Sequence, residues 1–498
     1  MPSKIKSCAV RGIEAFEVEI EVDILNGLPR FTVVGLPDAA VQESRERVRS
    51  AIVNSGMAFP RHRKIVNMAP ADVRKSGPSF DLPVALGLLI ASGQLPHINL
   101  TDAMFLGELA LSGAVRPVTG VLSCALKARE NGIKCLFVPA DNAEEASLAS
   151  GVTIYGVRSL KQLVAHLKNN QVLSPFVCRR THQPIAPVAR AIPQGLESVI
   201  RALAISSAGG HHVLMSGPPG SGKTLLAQYL PLLLPPLTDE ERLELTQLYS
   251  VAGVLNRAAG LVRARPFRSV HHTASRTSLI GGGVKLSPGE ISLAHHGVLF
   301  LDEMLEFPRE VLEGLRQPLE QGHIRISRAQ GEVTFPAHFT LVGAMNPCPC
   351  GFAGQNSPKR CRCTANAKLN YRKRLSGPML DRADLFVRTK RLRFEQLNQN
   401  STLQLNTLIE CIKIARSRQD ERGKLNSNLK PAEITRHCAL STENMKLLTN
   451  FGETHFLSAR SYHSILKVAC TIADMNEHRT IESADLVEAL QYRAALFG

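Results

Sequence analysis

The sequence predicts an α/β chain built around a nucleotide-binding parallel sheet, with a second α/β unit before it and a helical unit after it. Three observations carry that prediction. The first is Val213-Leu214-Met215-Ser216-Gly217-Pro218-Pro219-Gly220-Ser221-Gly222-Lys223-Thr224, a short apolar strand, a glycine-bracketed loop and then the apolar run Leu225 to Leu230, which reads as a buried helix. The second is Val298-Leu299-Phe300-Leu301-Asp302-Glu303, a buried strand ending in two carboxylates. The third is the contrast between strand–helix alternation over residues 1–170 and purely helical apolar spacing beyond Phe394.

The glycine-bracketed loop is a phosphate cradle. The backbone N–H groups of such a loop point inward, and the helix that follows adds its positive end. Gly217, Pro218, Pro219, Gly220, Ser221 and Gly222 are expected to wrap the polyphosphate, Lys223 to reach its terminal phosphates, and Thr224 to hold Mg²⁺ through its hydroxyl. Asp302 is expected to complete the Mg²⁺ shell and Glu303 to orient or deprotonate the attacking water. A glycine-rich turn without a ligand is the competing explanation, and the Asp-Glu strand downstream argues against it. The expected chemistry is ATP hydrolysis, with ATP and Mg²⁺ as cofactors.

At 498 residues, 44% of them apolar, the chain can fill several cores. Its longest apolar run, Leu82 to Ala91, is too short to span a membrane, and the N-terminus lacks the apolar segment of a signal peptide. A cytoplasmic protein with no membrane partner is therefore expected. Eleven cysteines without an export signal favour reduced thiols or metal ligands over disulfides. The 59 Lys and Arg outweigh the 43 Asp and Glu by +16, more than a nucleotide site needs, which points to nucleic acid; a generally basic surface is the plainer explanation.

Residues 1–170 read as one compact unit. Phe16 to Ile24 alternates apolar and acidic residues, the period of a strand with one wet face, and an acidic face should point away from DNA. A strand at Arg30–Gly35, a helix capped by Asp38 and ended by Gly56, a strand at Lys64–Met68 and a helix from Asp81 follow. Then come Met104–Leu111, a helix over Val121–Asn131 closed by Gly132, a strand at Lys134–Pro139 and a helix over Ser159–Lys168. Lys75-Ser76-Gly77-Pro78-Ser79-Phe80-Asp81, with Gly107-Glu108-Leu109 and Gly132-Ile133-Lys134, resembles the proteolytic domain of Lon proteases, a ribosomal-S5-like fold. Ser79 stands at that family's nucleophile, but Leu122 stands where its lysine belongs, and a serine without an amine to take its proton is a poor nucleophile. The resemblance therefore implies an inactive protease fold, kept as a scaffold or as a DNA-contacting face.

Residues 171–191 form a proline-stiffened linker with Arg179, Arg180 and Arg190, and the motor domain spans 192–396. Between its two ATP motifs lie His271, His272, Arg276 and the triplet Gly281–Gly283, which marks a loop interrupting a helix. Ile324 to Phe335 reads as a β-hairpin with basic residues near its tip. Phe339 to Ala344 is a strand leading to Asn346, suitably placed to polarise the attacking water.

Taken together, Gly217–Thr224, Asp302-Glu303, the hairpin, Asn346-Pro347-Cys348-Pro349-Cys350-Gly351 and Leu375-Ser376-Gly377-Pro378-Met379-Leu380-Asp381-Arg382 resemble the ComM/YifB family of magnesium-chelatase-like AAA+ proteins over almost the whole chain. The resemblance implies a P-loop AAA+ core with a helix-2 insert and a pre-sensor-1 hairpin. It also implies a ring, hexameric in expectation, that acts as a DNA helicase driving branch migration as transforming DNA is integrated, on single-stranded and branched DNA and alongside recombination proteins. Asn346 then resembles sensor 1, Arg382 the arginine finger offered to a neighbour's ATP, and Arg460 sensor 2. An arginine on the γ-phosphate is worth roughly a thousandfold or more in rate. For Arg382 an ion pair with Asp381 or Asp384 is the plainer explanation. Arg325 and Arg328 sit where related rings hold DNA phosphates, although charged tips are also usual on solvated hairpins.

Cys348, Cys350, Cys361 and Cys363 gather four of the eleven cysteines into residues 348–363 and suit tetrahedral Zn²⁺, with buried reduced thiols as the alternative. Lys359, Arg360, Arg362 and Tyr371-Arg372-Lys373-Arg374 make this loop basic. Residues 397–498 are expected to form a helical lid: one helix through Leu405, Leu408, Ile412 and Ile414, a second opened by Pro431, a third holding Ile465 to Ala469, and a last capped by Ser483. His455, His463 and His478 are expected to be ordinary histidines. The rival reading is a protein-remodelling ATPase of the chelatase or MoxR type, which explains neither the +16 charge nor the Lon-like unit.

Overall fold

The computed structural model describes residues 2–495 except 76, 97–98, 178–193, 257–259, 284–285, 329–330, 355–359 and 392–403, and leaves the side chains of 39, 328 and 331 undescribed. Most of the linker, with Arg179, Arg180 and Arg190, lies outside the described residues, as do Lys359 and the hairpin tip.

The N-terminal unit is a seven-stranded mixed sheet. Its strands are β1 (Ser3–Arg11), β2 (Glu14–Leu25), β3 (Phe31–Val34), β4 (Arg63–Ala69), β5 (Ala103–Phe105), β6 (Cys135–Pro139) and β7 (Thr153–Val157), in the order β3-β4-β2-β1-β5-β6-β7. The alternation in β2 buries Val18, Ile20 and Val22 completely. Its acidic side is neutralised by the next strand: Lys4 bonds Glu19 at 2.9 Å and Glu21 at 2.8 Å, and Lys6 approaches Glu17. No apolar period announces strand β1, because two of its inward residues are polar. Ser3 donates to Gly87 O at 2.8 Å and Ser7 to Phe105 O at 2.9 Å, which satisfies hydroxyls that burial would otherwise penalise.

The expected helices form where their caps are written. Asp38 accepts from Val41 N at the start of α1 (Ala39–Asn54), and Ser159 accepts from Gln162 N at the start of Leu160–Leu167. The helices α2 (Asp81–Ala91) and α3 (Val121–Glu130) carry the buried apolar faces that cover the sheet.

The central unit is an all-parallel sheet of five strands, β8 (Val213–Ser216), β9 (Phe267–Val270), β10 (Val298–Leu301), β13 (Thr340–Met345) and β14 (Leu385–Arg388), in the order β9-β10-β13-β8-β14. The hairpin forms from β11 (His323–Arg328) and β12 (Gly331–Pro336) with Ile324 opposite Phe335. Both faces of the inner strands are buried, which is why β8, β10 and β13 read as mainly apolar runs, whereas the edge strand β9 carries Arg268 and an exposed Ser269. Helix α4 (Glu197–Gly209) joins this core to the lid, whose helices are α5 (Leu405–Glu421), α6 (Pro431–His437), α7 (Thr442–Thr454), α8 (Ala459–Met475) and α9 (Ser483–Ala494).

Three expectations need correction. Leu225–Leu230 is not one buried helix: Lys223–Ala227 ends, Leu230–Leu233 begins again, and Leu225 is exposed. Pro231 is the cause, since its ring excludes the carbonyl four residues back. The glycine triplet is more than a loop. Gly281 ends the helix Arg276–Ile280 at φ +101°, and Gly281–Gly282 pairs antiparallel with Ser287–Pro288. The last helix is capped by Glu482, with Asp485 reciprocating, and Ser483 is its first residue. Among the described residues no helix is long and apolar enough to cross a membrane.

Candidate nucleotide-binding site

Because the five central strands run the same way, their carboxyl ends form one rim, where ligands of open parallel sheets bind. The loop Gly217–Gly222 leaves β8 there, Asp302 leaves β10, Asn346 leaves β13 and Thr389 leaves β14. Gly217 N–H donates to Met345 O at 3.2 Å, and a Cβ at Gly217 would collide with Thr389. Only glycine fits this approach. Ser221 and Thr389 share a hydroxyl–hydroxyl bond of 2.8 Å, which pins the loop a second time.

Lys223 Nζ donates to Gly217 O at 2.8 Å, Pro218 O at 3.0 Å and Asn346 Oδ1 at 3.3 Å. Burial pushes the Lys223 amine below the usual lysine range, while Asp302 and Glu303 oppose that shift. Thr224 Oγ1 donates to Asp302 Oδ2 at 3.1 Å, so the two groups expected to share Mg²⁺ are already adjacent. Glu303 adopts φ +49°, a left-handed conformation that costs a non-glycine residue roughly 1 kcal/mol, so backbone strain sits at the candidate base. Its carboxylate lies 3.1 Å from His272 Nδ1, a contact not aligned as a hydrogen bond. Gly217–Thr224, Asp302, Glu303 and Asn346 thus converge on one rim.

Arg382 and Arg460 are elsewhere. Asp384 and Leu385 donate their N–H groups to His212 O, at the amino end of β8, whereas the loop leaves its carboxyl end. Four strand residues separate the two ends, about 13 Å. Arg382 and Arg460 line a 790 Å³ cavity at that amino end, together with Glu320, Arg416 and Lys467. Arg382 pairs with Glu320 and donates to Pro378 O at 2.6 Å, and Arg460 reaches the same Glu320 oxygen at 3.0 Å. Arg460 and Arg382 hold the Glu320 carboxyl below its usual range. The alternative pairing of Arg382 with Asp381 or Asp384 does not form. Asp381 is taken by Ser461 at 2.9 Å and Arg493 at 3.2 Å, and Asp384 by His211 at 3.1 Å.

In the hairpin, Arg325 is exposed and pairs across the strands with Glu332 at 2.7 Å, while the Arg328 side chain lies outside the described residues. The N-terminal unit grips this hairpin. Arg11 donates to Glu332 O at 3.2 Å and Gly12 packs its backbone on Val333, while Ile13 O accepts from Gln247 of the helix Asp239–Ala252 at 2.9 Å and from Ser123 of its own unit at 2.9 Å. The cysteines converge: Cys348, Cys350, Cys361 and Cys363 present sulfurs all within 4.8 Å of one another, a group that could hold a metal ion. Ser79 lies in a short turn with its carbonyl accepting from Gly107 N–H at 2.9 Å, and Leu122 is fully buried in α3. Lys75 is wholly buried, and among the described residues its amine has no hydrogen-bond partner.

Three contributors escape a reading of the sequence: Glu320, Thr389 and Glu332. Glu332 lies within the expected hairpin but only its ion pair with Arg325 marks it, while Glu320 and Thr389 become visible through contacts remote in sequence. His272, noted between the two ATP motifs, gains its place beside Glu303 only in the fold.

Comparison with known proteins identifies the family. Family models for the magnesium chelatase subunit ChlI match residues 192–397, for subunit ChlI of Mg-chelatase residues 20–142, and for the ChlI C-terminal region residues 404–493. The competence protein ComM of Haemophilus influenzae is 41% identical over 98% of this chain and 97% of its own length. The uncharacterized protein YifB of Escherichia coli K12 is 41% identical over 99% and 97%. A Lon protease of Brevibacillus choshinensis is 25% identical over 31% of this chain and 21% of its own. With a phosphate loop, an Asp-Glu strand and a helical lid joined in one architecture, the chain belongs to the ComM/YifB family of magnesium-chelatase-like AAA+ ATPases.

Proposed function

We propose that this protein is a ring-forming ATPase, hexameric in expectation, that translocates on single-stranded and branched DNA and drives branch migration during natural transformation and homologous recombination. It would work in the cytoplasm beside recombination proteins. The observation that carries the reading is the division of the ATP machinery between opposite ends of β8. Lys223, Thr224, Asp302, Glu303 and Asn346 share one rim, whereas Arg382 and Arg460 share the other. One subunit therefore holds half of a site, and a neighbour's arginines complete it.

In this reading the loop Gly217–Gly222 and Lys223 bind the phosphates, Thr224 and Asp302 hold Mg²⁺, Glu303 takes a proton from water, and Asn346 orients that water. Bound Mg²⁺ supplies charge neutralisation at the phosphates. Arg382 acts as the finger and Arg460 as sensor 2 in the adjoining subunit. Cys348, Cys350, Cys361 and Cys363 would hold a structural Zn²⁺, and the N-terminal unit, without a lysine at Leu122, is a proteolytically inactive scaffold or DNA-contacting face.

The DNA assignment is supported by the +16 charge, by the exposed basic hairpin and by the relative whose name is competence protein ComM. A remodeller of protein clients would share the motor but needs no such charge. ATP turnover measured with and without single-stranded DNA separates the two. A DNA-stimulated rate and closed assemblies on sizing are expected. One unchanged rate with a monomer at all concentrations overturns the proposal.

A further inference from the structure

We infer that the cysteine cluster is a metal latch on the phosphate loop: a Zn²⁺ held by Cys348, Cys350, Cys361 and Cys363 sets the nucleotide affinity of the neighbouring site. The inference rests on the reading of that site as an ATP site.

The sulfur geometry is that of a tetrathiolate. Cys348 Sγ lies 3.3 Å from Cys350 Sγ and 3.7 Å from Cys361 Sγ, and Cys350 Sγ lies 3.6 Å from Cys361 Sγ. All four cysteines are free. A disulfide requires about 2.05 Å. Four sulfurs each about 2.3 Å from a tetrahedral Zn²⁺ stand about 3.8 Å apart. Ala353 N–H donates to Cys348 Sγ at 3.3 Å, the kind of support a metal-bound thiolate receives from its surroundings. Arg360 and Arg362 flank the ligands and offset the charge of about −2 that four thiolates leave on Zn²⁺.

A second grouping, Glu244, His295 and His296, is not a metal site of this kind. His295 Nδ1 accepts the backbone N–H of His338 at 3.0 Å, so its neutral ring carries the proton on Nε2, where a metal would need a lone pair. Burial holds that ring neutral, with its pKa lowered to about 3.

The link to the nucleotide site is a continuous stretch of chain. Met345 O accepts Gly217 N–H, Asn346 accepts Lys223, Cys348 is fully buried, and Gly351, at φ +82°, packs against Pro219 so closely that a Cβ there would lie 2.5 Å from Pro219 Cδ. Among the described residues no helix or strand intervenes between Met345 and Ala365. Metal–thiolate bonds at the four cysteines would therefore add a tie holding Gly351 on the loop, beside its N–H bond to Cys348 O at 2.9 Å. Soft sulfur ligands select Zn²⁺ and leave Mg²⁺ to the oxygens of Thr224 and Asp302.

The full-length protein is assayed for zinc by elemental mass spectrometry, and its affinity for a fluorescent ATP analogue is measured before and after a zinc-selective chelator. One zinc per chain is expected, with a tenfold or larger rise in Kd on chelation, reversed by added Zn²⁺. Gly351→Ala should keep its zinc yet raise Kd, because its new Cβ presses on Pro219. Protein without zinc under reducing conditions overturns the metal. Zinc present with Kd unchanged on its removal overturns the latch and leaves the metal standing. Zinc-loaded protein that binds no nucleotide overturns the ATP-site reading instead.

Discussion

Arg382 and Arg460 meet on a single oxygen of Glu320, although 78 residues of chain separate them and neither approaches the phosphate loop of its own subunit. The meeting is built by the lid: Ser461 and Ser464, in the first turns of α8, bond Asp381 and Asp384 beside Arg382. Two cations brought this close repel each other, and Glu320 holds them as a pair facing the cavity.

The first prediction concerns that pair. Arg382→Ala should lower ATP turnover by roughly a thousandfold while the Kd for ATP stays within about threefold, because a finger acts on transition-state charge. Mixing it with Lys223→Ala subunits should restore part of the turnover, since some sites then combine an intact loop with an intact arginine. Full activity of Arg382→Ala alone excludes the finger.

The second concerns the hairpin. Arg325 spends part of its charge on Glu332 at 2.7 Å. Glu332→Ala should therefore tighten single-stranded DNA, whereas Arg325→Ala with Arg328→Ala should weaken it and flatten the dependence of log K on log salt by about 0.7 for each phosphate no longer neutralised. Fluorescence anisotropy over a salt series reads both. Parallel salt lines for all three proteins remove the hairpin from the DNA path.

Gly12 makes a third prediction, about the purpose of the N-terminal unit. At φ +66° and packed on Val333, it cannot carry a side chain without pushing the hairpin away. Gly12→Ala should cost about 1 kcal/mol in backbone conformation alone. It should leave ATP turnover without DNA within about twofold of wild type and abolish its stimulation by DNA. Stimulation that survives unchanged shows that the grip on the hairpin has no part in coupling.

Lys75 supplies a pH test. Among the described residues its buried amine has no hydrogen-bond partner, and burial lowers its pKa below the usual lysine value. The unfolded chain then binds a proton that the folded chain releases, so wild-type stability rises with pH between the depressed folded pKa and the ordinary lysine pKa. Lys75→Met should be the more stable protein at neutral pH, by about 1–3 kcal/mol, with the advantage shrinking as pH rises through that window. Thermal melts at several pH values measure it. A destabilised Lys75→Met at neutral pH would mean that the amine has a partner in solution.

The sequence by itself determined whatever depends on near neighbours. A phosphate loop needs glycines, a lysine and a hydroxyl within a few residues, and the strand before it is a local apolar pattern; the Asp-Glu strand, the hairpin and the helix caps at Asp38 and Ser159 are equally local. Strand β1 stayed hidden because Ser3 and Ser7 are satisfied by carbonyls of Gly87 and Phe105, partners that no window of sequence contains. Only the tertiary structure decided that Arg382 and Arg460 belong to the rim opposite Lys223, that the turn at Gly12 rests on the hairpin, and that Gly351 leans on Pro219. Each depends on how strands and helices far apart in the chain are stacked. That stacking is fixed by burial of apolar faces across the whole core, a property no short segment carries.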